Sequence, residues 1–498
     1  MAFEPGAGPR KTPEWIPVAL LAVCIPWGMW SVYALLSGGD SVLVSFYSAA
    51  GWFFILGCGY LGLHGVRGLA WCSVPALLTI RALLEFGIIP CWRFANGDDQ
   101  IDGIYVHSML LTLMGFAAFW IASLFLKRKS ELLFVPSVPY TPSRVAFMSA
   151  LMLFLGFCGN FAVWKFGIST FLWTISDAGA QQSNLPFMSE VTFVANLLNV
   201  SLVVSAIEVL GKRSKDPLIR FVFLASFVLA LGFGVLSGMK SEILYPVLYV
   251  LVVYTMTNRR LPRLAFFMPL LLIVIYPFVN AYRRNLDTGY AQIATTFSGQ
   301  ADVLVKTFED VLESPFSGKE QSGKSFALAT DRLSLLSYMH DVVGLPAPSL
   351  LNGDEKVWMA PFYPLIPRFL WKNKPILDKG SRLSVALGKP PTTATAITQI
   401  GDLYSMYKTP GVIIGMGLWG VIAQLYMNWA GKGRFSEKRL FVYISFLIAL
   451  INVEQDATAF MAGLVLLGIR VFIVARIIYG PAGSAVPRLA QRTVIRTT

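Results

Sequence analysis

Charge is scarce in this chain. Of its 498 residues only 14% are Asp, Glu, Lys or Arg, whereas 55% are hydrophobic and mean hydropathy is +0.61. So few polar groups cannot cover the surface of an ordinary soluble domain, which excludes that class. Histidine is nearly absent: His64, His107 and His340 lie far apart in sequence and form no metal-ligand motif. The five cysteines (Cys24, Cys58, Cys72, Cys91, Cys158) form no CxxC pair and sit in or beside apolar runs, as small buried hydrophobes do. No repeat with a period of about 20–50 residues is visible. The two halves of the chain also show no similarity, which disfavours a transporter built from inverted repeats.

Long apolar runs dominate what is present. Runs of about 20 residues can cross a bilayer, and twelve occur: 15–36, 41–63, 69–90, 104–126, 144–165, 189–210, 218–237, 241–256, 262–281, 409–430, 438–453 and 458–479. The first lacks a small-x-small cleavage site and reads as a retained span rather than a signal peptide. The expected fold class is therefore an all-α polytopic membrane protein with about twelve transmembrane helices.

The net charge of +13 then reads as topology rather than nucleic-acid binding. With the N-terminus cytoplasmic, the short inner loops hold Arg67, Lys127–Lys129, Lys212–Lys215, Arg259–Arg263 and Lys432–Arg439, and the short outer loops hold almost no cations. Both termini are expected in the cytoplasm. The expected division is 1–281 as a bundle of spans 1–9, 282–408 as a long extracytoplasmic loop with a re-entrant segment near Thr395, and 409–498 as spans 10–12 with a cytoplasmic tail. Most charge unrelated to topology lies in that loop, so function is expected outside.

Within the loop, Leu304, Phe308, Val311 and Leu312 predict an amphipathic helix over 300–314. A second helix is predicted over 325–343, with Leu328, Leu335, Leu336, Met339 and Val343 as its stripe and Arg332 on the same face. A buried arginine requires an anion, either a loop carboxylate or a bound phosphate that its planar fork can grip. Arg283 and Arg284 follow span 9 on the outer side, and Lys240 and Glu242 lie at the same surface. They can snorkel into headgroups or bind a lipid substrate there. Asp98, Asp99 and Asp102 read as a solvated turn before a metal site. In span 3, Arg81 and Glu85 are spaced i, i+4 and can clamp each other within the bundle.

Three segments occur in a telling order: "RLSLLSYMHDVVGLP" (332–346), "LIPRFLWKNKP" (365–375) and "IGDLYSMYKTPGVIIGMGLWGV" (400–421). Together they resemble the Wzy-type oligosaccharide repeat-unit polymerases, with the O-antigen and exopolysaccharide polymerases among them. That family's pattern is an Arg-led helix, then IPR-x-x-W-P-D-K-P, then G-E-x-Y-x-N-F-G-x-x-G. Here Lys372 and Asn373 replace Pro-Asp, Asp402 replaces the Glu, and Met406, Tyr407 and Lys408 replace Asn-Phe-Gly, while Gly411 remains.

The resemblance implies a GT-C-like bundle in the bacterial inner membrane, with its active site facing the periplasm. It implies transfer of a glycan from undecaprenyl diphosphate onto the hydroxyl of a new lipid-linked repeat unit. No cofactor and no metal are expected, no nucleic acid, and a chain-length-regulating co-polymerase is a candidate partner. Such a reaction needs cations for the departing diphosphate and a base for the acceptor hydroxyl.

The expected catalytic residues are Arg332, Arg368 and Asp402, and the expected substrate- and diphosphate-binding residues are Arg283, Arg284, Lys240, Lys374, Trp371 and Tyr404. Asp341, Glu454, Asp456 and Glu242 compete with Asp402 as base, and Trp358, Phe362, Tyr363 and Tyr407 are further stacking faces for sugars. Two alternatives remain: an O-antigen ligase, for which His340 would be the external histidine, and a polysaccharide or lipid-linked sugar flippase.

Overall fold

A computed structural model of the chain describes residues 41–64, 72–97, 99–128, 142–165, 188–237, 240–258, 262, 278–279, 281–282, 285, 297–313, 333–353, 355–366, 370–371, 375, 377–389, 395–431 and 436–479. Among these residues the regular structure is entirely helical. The long helices are α1 (Ser41–His64), α2 (Val74–Ala95), α3 (Gly103–Phe125), α4 (Pro142–Lys165), α5 (Met188–Ala206, extended by a π turn Ile207–Gly211), α6 (Pro217–Ser237) and α7 (Lys240–Asn258). After them come α8 (Phe297–Glu313), α9 (Leu335–Val343), α10 (Lys379–Ala386), α11 (Gln399–Ala430), α12 (Glu437–Leu450) and α13 (Ala457–Tyr479). Eight of these helices are long and apolar enough to cross a membrane, and Glu242–Asn258 is a shorter apolar one. The chain is a helical membrane protein. The expected spans 15–36 and, for the most part, 262–281 lie outside the described residues.

Local chemistry sets the helix starts. The Ser73 hydroxyl accepts from Ala76 N–H at 3.3 Å with Pro75 in the first turn of α2, and Asp102 accepts from Tyr105 N–H at 2.8 Å to open α3. Polar groups join the helices inside the bundle. Asn160 on α4 donates to Ala195 O on α5 at 2.8 Å, and Ser201 on α5 donates to Ser149 O at 2.8 Å and sits 2.9 Å from Ser226 on α6.

The amphipathic helix α8 occupies the expected segment. Val303 and Thr307 are buried, Asn285 donates to Thr307 at 3.2 Å and to Asp310 at 2.8 Å, and Phe308 is 59% exposed. In α9, Leu335, Leu336 and Met339 are buried as expected, but Val342 is buried in place of the intermediate Val343.

Two features break the pattern of simple spans. The first is α12, whose 14 residues reach about 21 Å at 1.5 Å per residue. That is short of a hydrocarbon core of about 30 Å, and a strap, 451–456, joins it to α13. The second is α11, which is not a single rod. At Lys408 the backbone takes φ 56° and ψ −155°, and the arm 399–407 folds back on the long arm 409–430. A Cβ added at Gly411 would lie 2.8 Å from Leu403 O, and one at Gly415 would lie 2.6 Å from the Leu403 methyl groups. In a continuous helix residues 403 and 415 would be about 18 Å apart. The expected span 409–430 is therefore the second arm of a hairpin.

The close approach of the two arms gives a direct test. Gly411→Ala is expected to destabilise the protein by about 1–3 kcal/mol through overpacking. Gly463→Ala, where nothing lies within 4 Å of the added carbon, is expected to be neutral or mildly stabilising. Thermal melts of the two purified variants compare them.

Candidate functional site

Strain brackets the short arm of the hairpin. Thr398, its cap, takes φ 65° and ψ 155°, and Lys408 at its far end is also in a conformation that favours glycine. Each such residue costs on the order of 1–3 kcal/mol and persists only where its surroundings impose it. For Thr398 the surroundings are the strap: Thr398 N–H donates to Glu454 O at 3.3 Å, Gln399 N–H to Val453 O at 3.1 Å, and the Gln399 side chain to Asn452 O at 2.8 Å. Its own hydroxyl accepts from Gly401 N–H at 3.0 Å.

The arm carries Asp402, which is completely buried. One carboxylate oxygen takes Lys379 Nζ from α10 at 2.6 Å, with side-chain exposures of 1% and 0%. The other faces Thr458 N–H at 3.4 Å at the start of α13, and Thr458 Oγ1 also accepts from Lys379 at 3.2 Å. Next to this pair Asp456 caps α13, accepting from Ala459 N–H at 2.7 Å. Burial pushes the Asp456 carboxyl above its ordinary range, against the pull of that hydrogen bond. On the same short helix Arg382 reaches Glu355 at 2.8 Å and Asp378 at 2.6 Å.

The strap also closes on an ionic cluster of the bundle. Arg81 Nε donates to both Glu85 oxygens at 2.9 and 2.8 Å, Nη1 donates to Ile451 O at 3.1 Å, and Nη2 donates to Glu454 at 2.5 Å. The expected i, i+4 clamp is thus only half of the arrangement: the guanidinium also holds the strap. Tyr245 on α7 lies within electrostatic reach of the cluster. Glu454 keeps 36% of its side chain exposed, so this end is accessible whereas the Asp402 end is not.

The third group ties α9 to α3. The His340 ring stacks on Tyr105 at 4.0 Å, with Nε2 3.3 Å from Asp102 and Nδ1 3.8 Å from Asp341. Burial disfavours the imidazolium, but hydrogen bonds to Asp341 and Asp102 outweigh it and hold the ring above its ordinary range. For Asp102, burial works against ionisation, but the Tyr105 N–H and His340 prevail and hold the carboxyl below its ordinary range. Asp99 in the same turn pairs with Arg93 at 2.7 Å, and no group of potential metal ligands occurs among the described residues.

Of the sequence-predicted residues, Asp402, Tyr404 and Trp371 are described with their contacts. Tyr404 has His107 at 5.8 Å and Lys408 Nζ over its ring at 4.9 Å, and Trp371 packs 5.7 Å from the buried Tyr363. Lys240 is the first residue of α7. Arg332, Arg368, Arg283, Arg284 and Lys374 lie outside the described residues. Asp402 is paired in the structure: Lys379 Nζ and Thr458 N–H meet its two carboxylate oxygens. Of its competitors, Asp456 is brought beside it, and Glu454 joins the same arm through its backbone carbonyl, which accepts from Thr398 N–H. Lys379, Arg382 and Glu355 went unread because α10 has only eight residues, too few for a periodic stripe. The one available signal was two cations three apart after Asp378 in an otherwise apolar chain.

Lys379→Ala leaves a buried carboxylate unpaired and is expected to destabilise by about 3–5 kcal/mol. The double variant Lys379→Met with Asp402→Leu is expected to recover most of that loss, as read by thermal melts. A second expectation concerns pH. The raised His340 contributes stability that is fully present below its unfolded value near 6.5 and is lost as pH rises through its folded value. The lowered Asp102 contributes stability that is present above about 3.8 and is lost as pH falls through its folded value. The melting advantage of the wild type over His340→Gln is therefore expected to shrink as pH goes from 6 to 8.5.

No curated protein and no solved structure matches the chain. One family profile does, described as a domain of unknown function, and it covers residues 162–436, more than half of the chain, with Lys379, Asp402 and Lys408 inside the match. The chain belongs to that family, DUF8712.

Proposed function

We propose that this protein is a membrane glycosyltransferase that polymerises undecaprenyl-diphosphate-linked oligosaccharide repeat units on the extracytoplasmic side of the bacterial inner membrane. The observation that carries the reading is the meeting of a doubly strained hairpin arm with a strap bearing Glu454 and Asp456. Backbone strain held by its surroundings concentrates at functional sites, and here it positions carboxylates rather than a scaffold turn. The motif resemblance over 332–421 is the second support.

In the proposed reaction the acceptor hydroxyl attacks the anomeric carbon of the growing glycan. The bond from that carbon to the diphosphate oxygen breaks, and the hydroxyl proton passes to a carboxylate. Glu454 is the proposed base because its side chain is 36% exposed while Arg81 holds it in place, whereas the Asp456 carboxylate is taken up in capping α13. Asp402 is a positioning residue: through Lys379 and Thr458 it fixes the arm against α10 and α13. Arg332 and Arg368 are proposed to take the charge of the leaving diphosphate, with Arg283, Arg284, Lys240 and Lys374 holding the lipid headgroup. Trp371 and Tyr404 offer faces for sugars.

Twelve spans, cytoplasmic termini, a metal-free site and a co-polymerase partner belong to the same proposal. The ligase reading has one observation in its favour: His340 is oriented by two carboxylates and a stacked tyrosine. The flippase reading draws on the Arg81–Glu85–Glu454 cluster inside the bundle.

Purified protein in liposomes, given undecaprenyl-diphosphate-linked repeat units and no nucleotide sugar, is expected to produce long chains. Glycosylation of added lipid A core without chain growth would favour the ligase, and movement of the lipid across the membrane without either would favour the flippase. Glu454→Gln is expected to slow chain growth by about 10²–10⁴-fold if it is the base. Normal glycan ladders from Arg332→Ala and Arg368→Ala would sink their roles.

A further inference from the structure

Lys408 occupies the tip of the α11 hairpin in a backbone conformation that costs a lysine energy and a glycine almost none. The reversal itself needs only the φ and ψ values, together with the close packing that Gly411 and Gly415 permit. A glycine at 408 would serve the fold better. Within the fold, the lysine side chain gains a place over the Tyr404 ring at 4.9 Å. An exposed cation–π contact is a weak interaction and does not offset the strain. A residue that breaks a local rule without a compensating contact marks a functional position.

The surroundings indicate what the lysine meets. Lys408 and Tyr407 are exposed, Tyr404 is half-buried, and the exposed His107 ring meets Tyr404 edge-on at 5.8 Å. The tip thus carries a cation over the face of one tyrosine ring. Lys408 has no carboxylate partner among the described residues. His107 lies four residues into α3 from Gly103, about 6 Å along the helix axis, so the tip stands near that end of an apolar helix.

We propose that Lys408 is a binding residue for the diphosphate of a lipid-linked substrate, held in place by the strained hairpin tip. The proposal rests on the glycosyltransferase reading for the identity of the lipid, and on the tip geometry for the anion. An ammonium held over a tyrosine ring keeps its outward N–H groups free to donate to phosphate oxygens. The strain fixes where the charge is presented.

The test uses the full-length protein in nanodiscs of zwitterionic lipid, with two probes: undecaprenyl diphosphate and inorganic pyrophosphate. Lys408→Gly is expected to melt at a higher temperature than the wild type yet bind at least about tenfold more weakly. Lys408→Gln keeps the strain and is expected to lose the same affinity with no gain in melting temperature. Lys408→Arg is expected to retain binding. Losses with both probes assign the contact to the diphosphate itself; a loss with the lipid alone assigns it to a diphosphate that the membrane presents.

Three results would overturn the proposal: wild-type protein that binds neither probe, Lys408→Gly or Lys408→Gln that binds as well as the wild type, or Lys408→Gly with no gain in stability. Lys408-dependent binding without chain growth in the liposome assay would remove the polymerase reading and leave this site standing.

Discussion

The Lys379–Asp402 ion pair is the contact on which the assembly around the hairpin depends. Its members come from α10 and from the short arm of α11, and Thr458 brings in the start of α13. Three segments that are distant in sequence therefore meet around one charge pair with side-chain exposures of 1% and 0%. Isolating either charge there would cost several kcal/mol, so α10, the arm and α13 are bound to move as one unit. Further contacts reinforce the unit: Thr395 N–H donates to Gly380 O at 3.1 Å, Ser384 and Thr395 hydroxyls meet at 2.7 Å, and Ser405 donates to Asn352 at 3.2 Å.

That unit explains how two strained residues persist. Thr398 is held by backbone hydrogen bonds to the strap, and the strap is in turn held by the Arg81 guanidinium through Ile451 O and Glu454. Lys408 is held by the packing of Leu403 against the glycines of the long arm. The strap is thus a junction between a closed end, where Asp402 is sealed, and an open end, where Glu454 remains accessible. A carboxylate at such a junction combines a fixed position with access to solvent or substrate, as a general base requires.

Gly411 and Lys408 illustrate how local sequence and tertiary context divide the work. In the motif comparison Gly411 was simply a retained residue; in the structure it is the point where Tyr407 and the Leu403 carbonyl leave no room for a Cβ. Lys408 looked like a lost glycine, and its backbone has kept the geometry a glycine would take. The helix α8 adds a polar contact that spacing does not show: Asn285 donates to both Thr307 and Asp310 on it.

The sequence by itself determined the class of the protein and the approximate place of its long helices, because apolar runs of bilayer length have no other stable use. It also marked Asp402, Glu454 and Asp456 as outlying charges, since so few occur in this chain. Only the tertiary structure decided which of them is sealed and which is open, that Arg81 clamps the strap as well as Glu85, and that α11 turns back on itself. Those outcomes depend on contacts between residues tens to hundreds of positions apart, such as Arg81 with Glu454 and Lys379 with Thr458. Hydropathy and spacing report only on neighbours along the chain, whereas burial of a charge is settled by whichever distant partner the fold delivers to it.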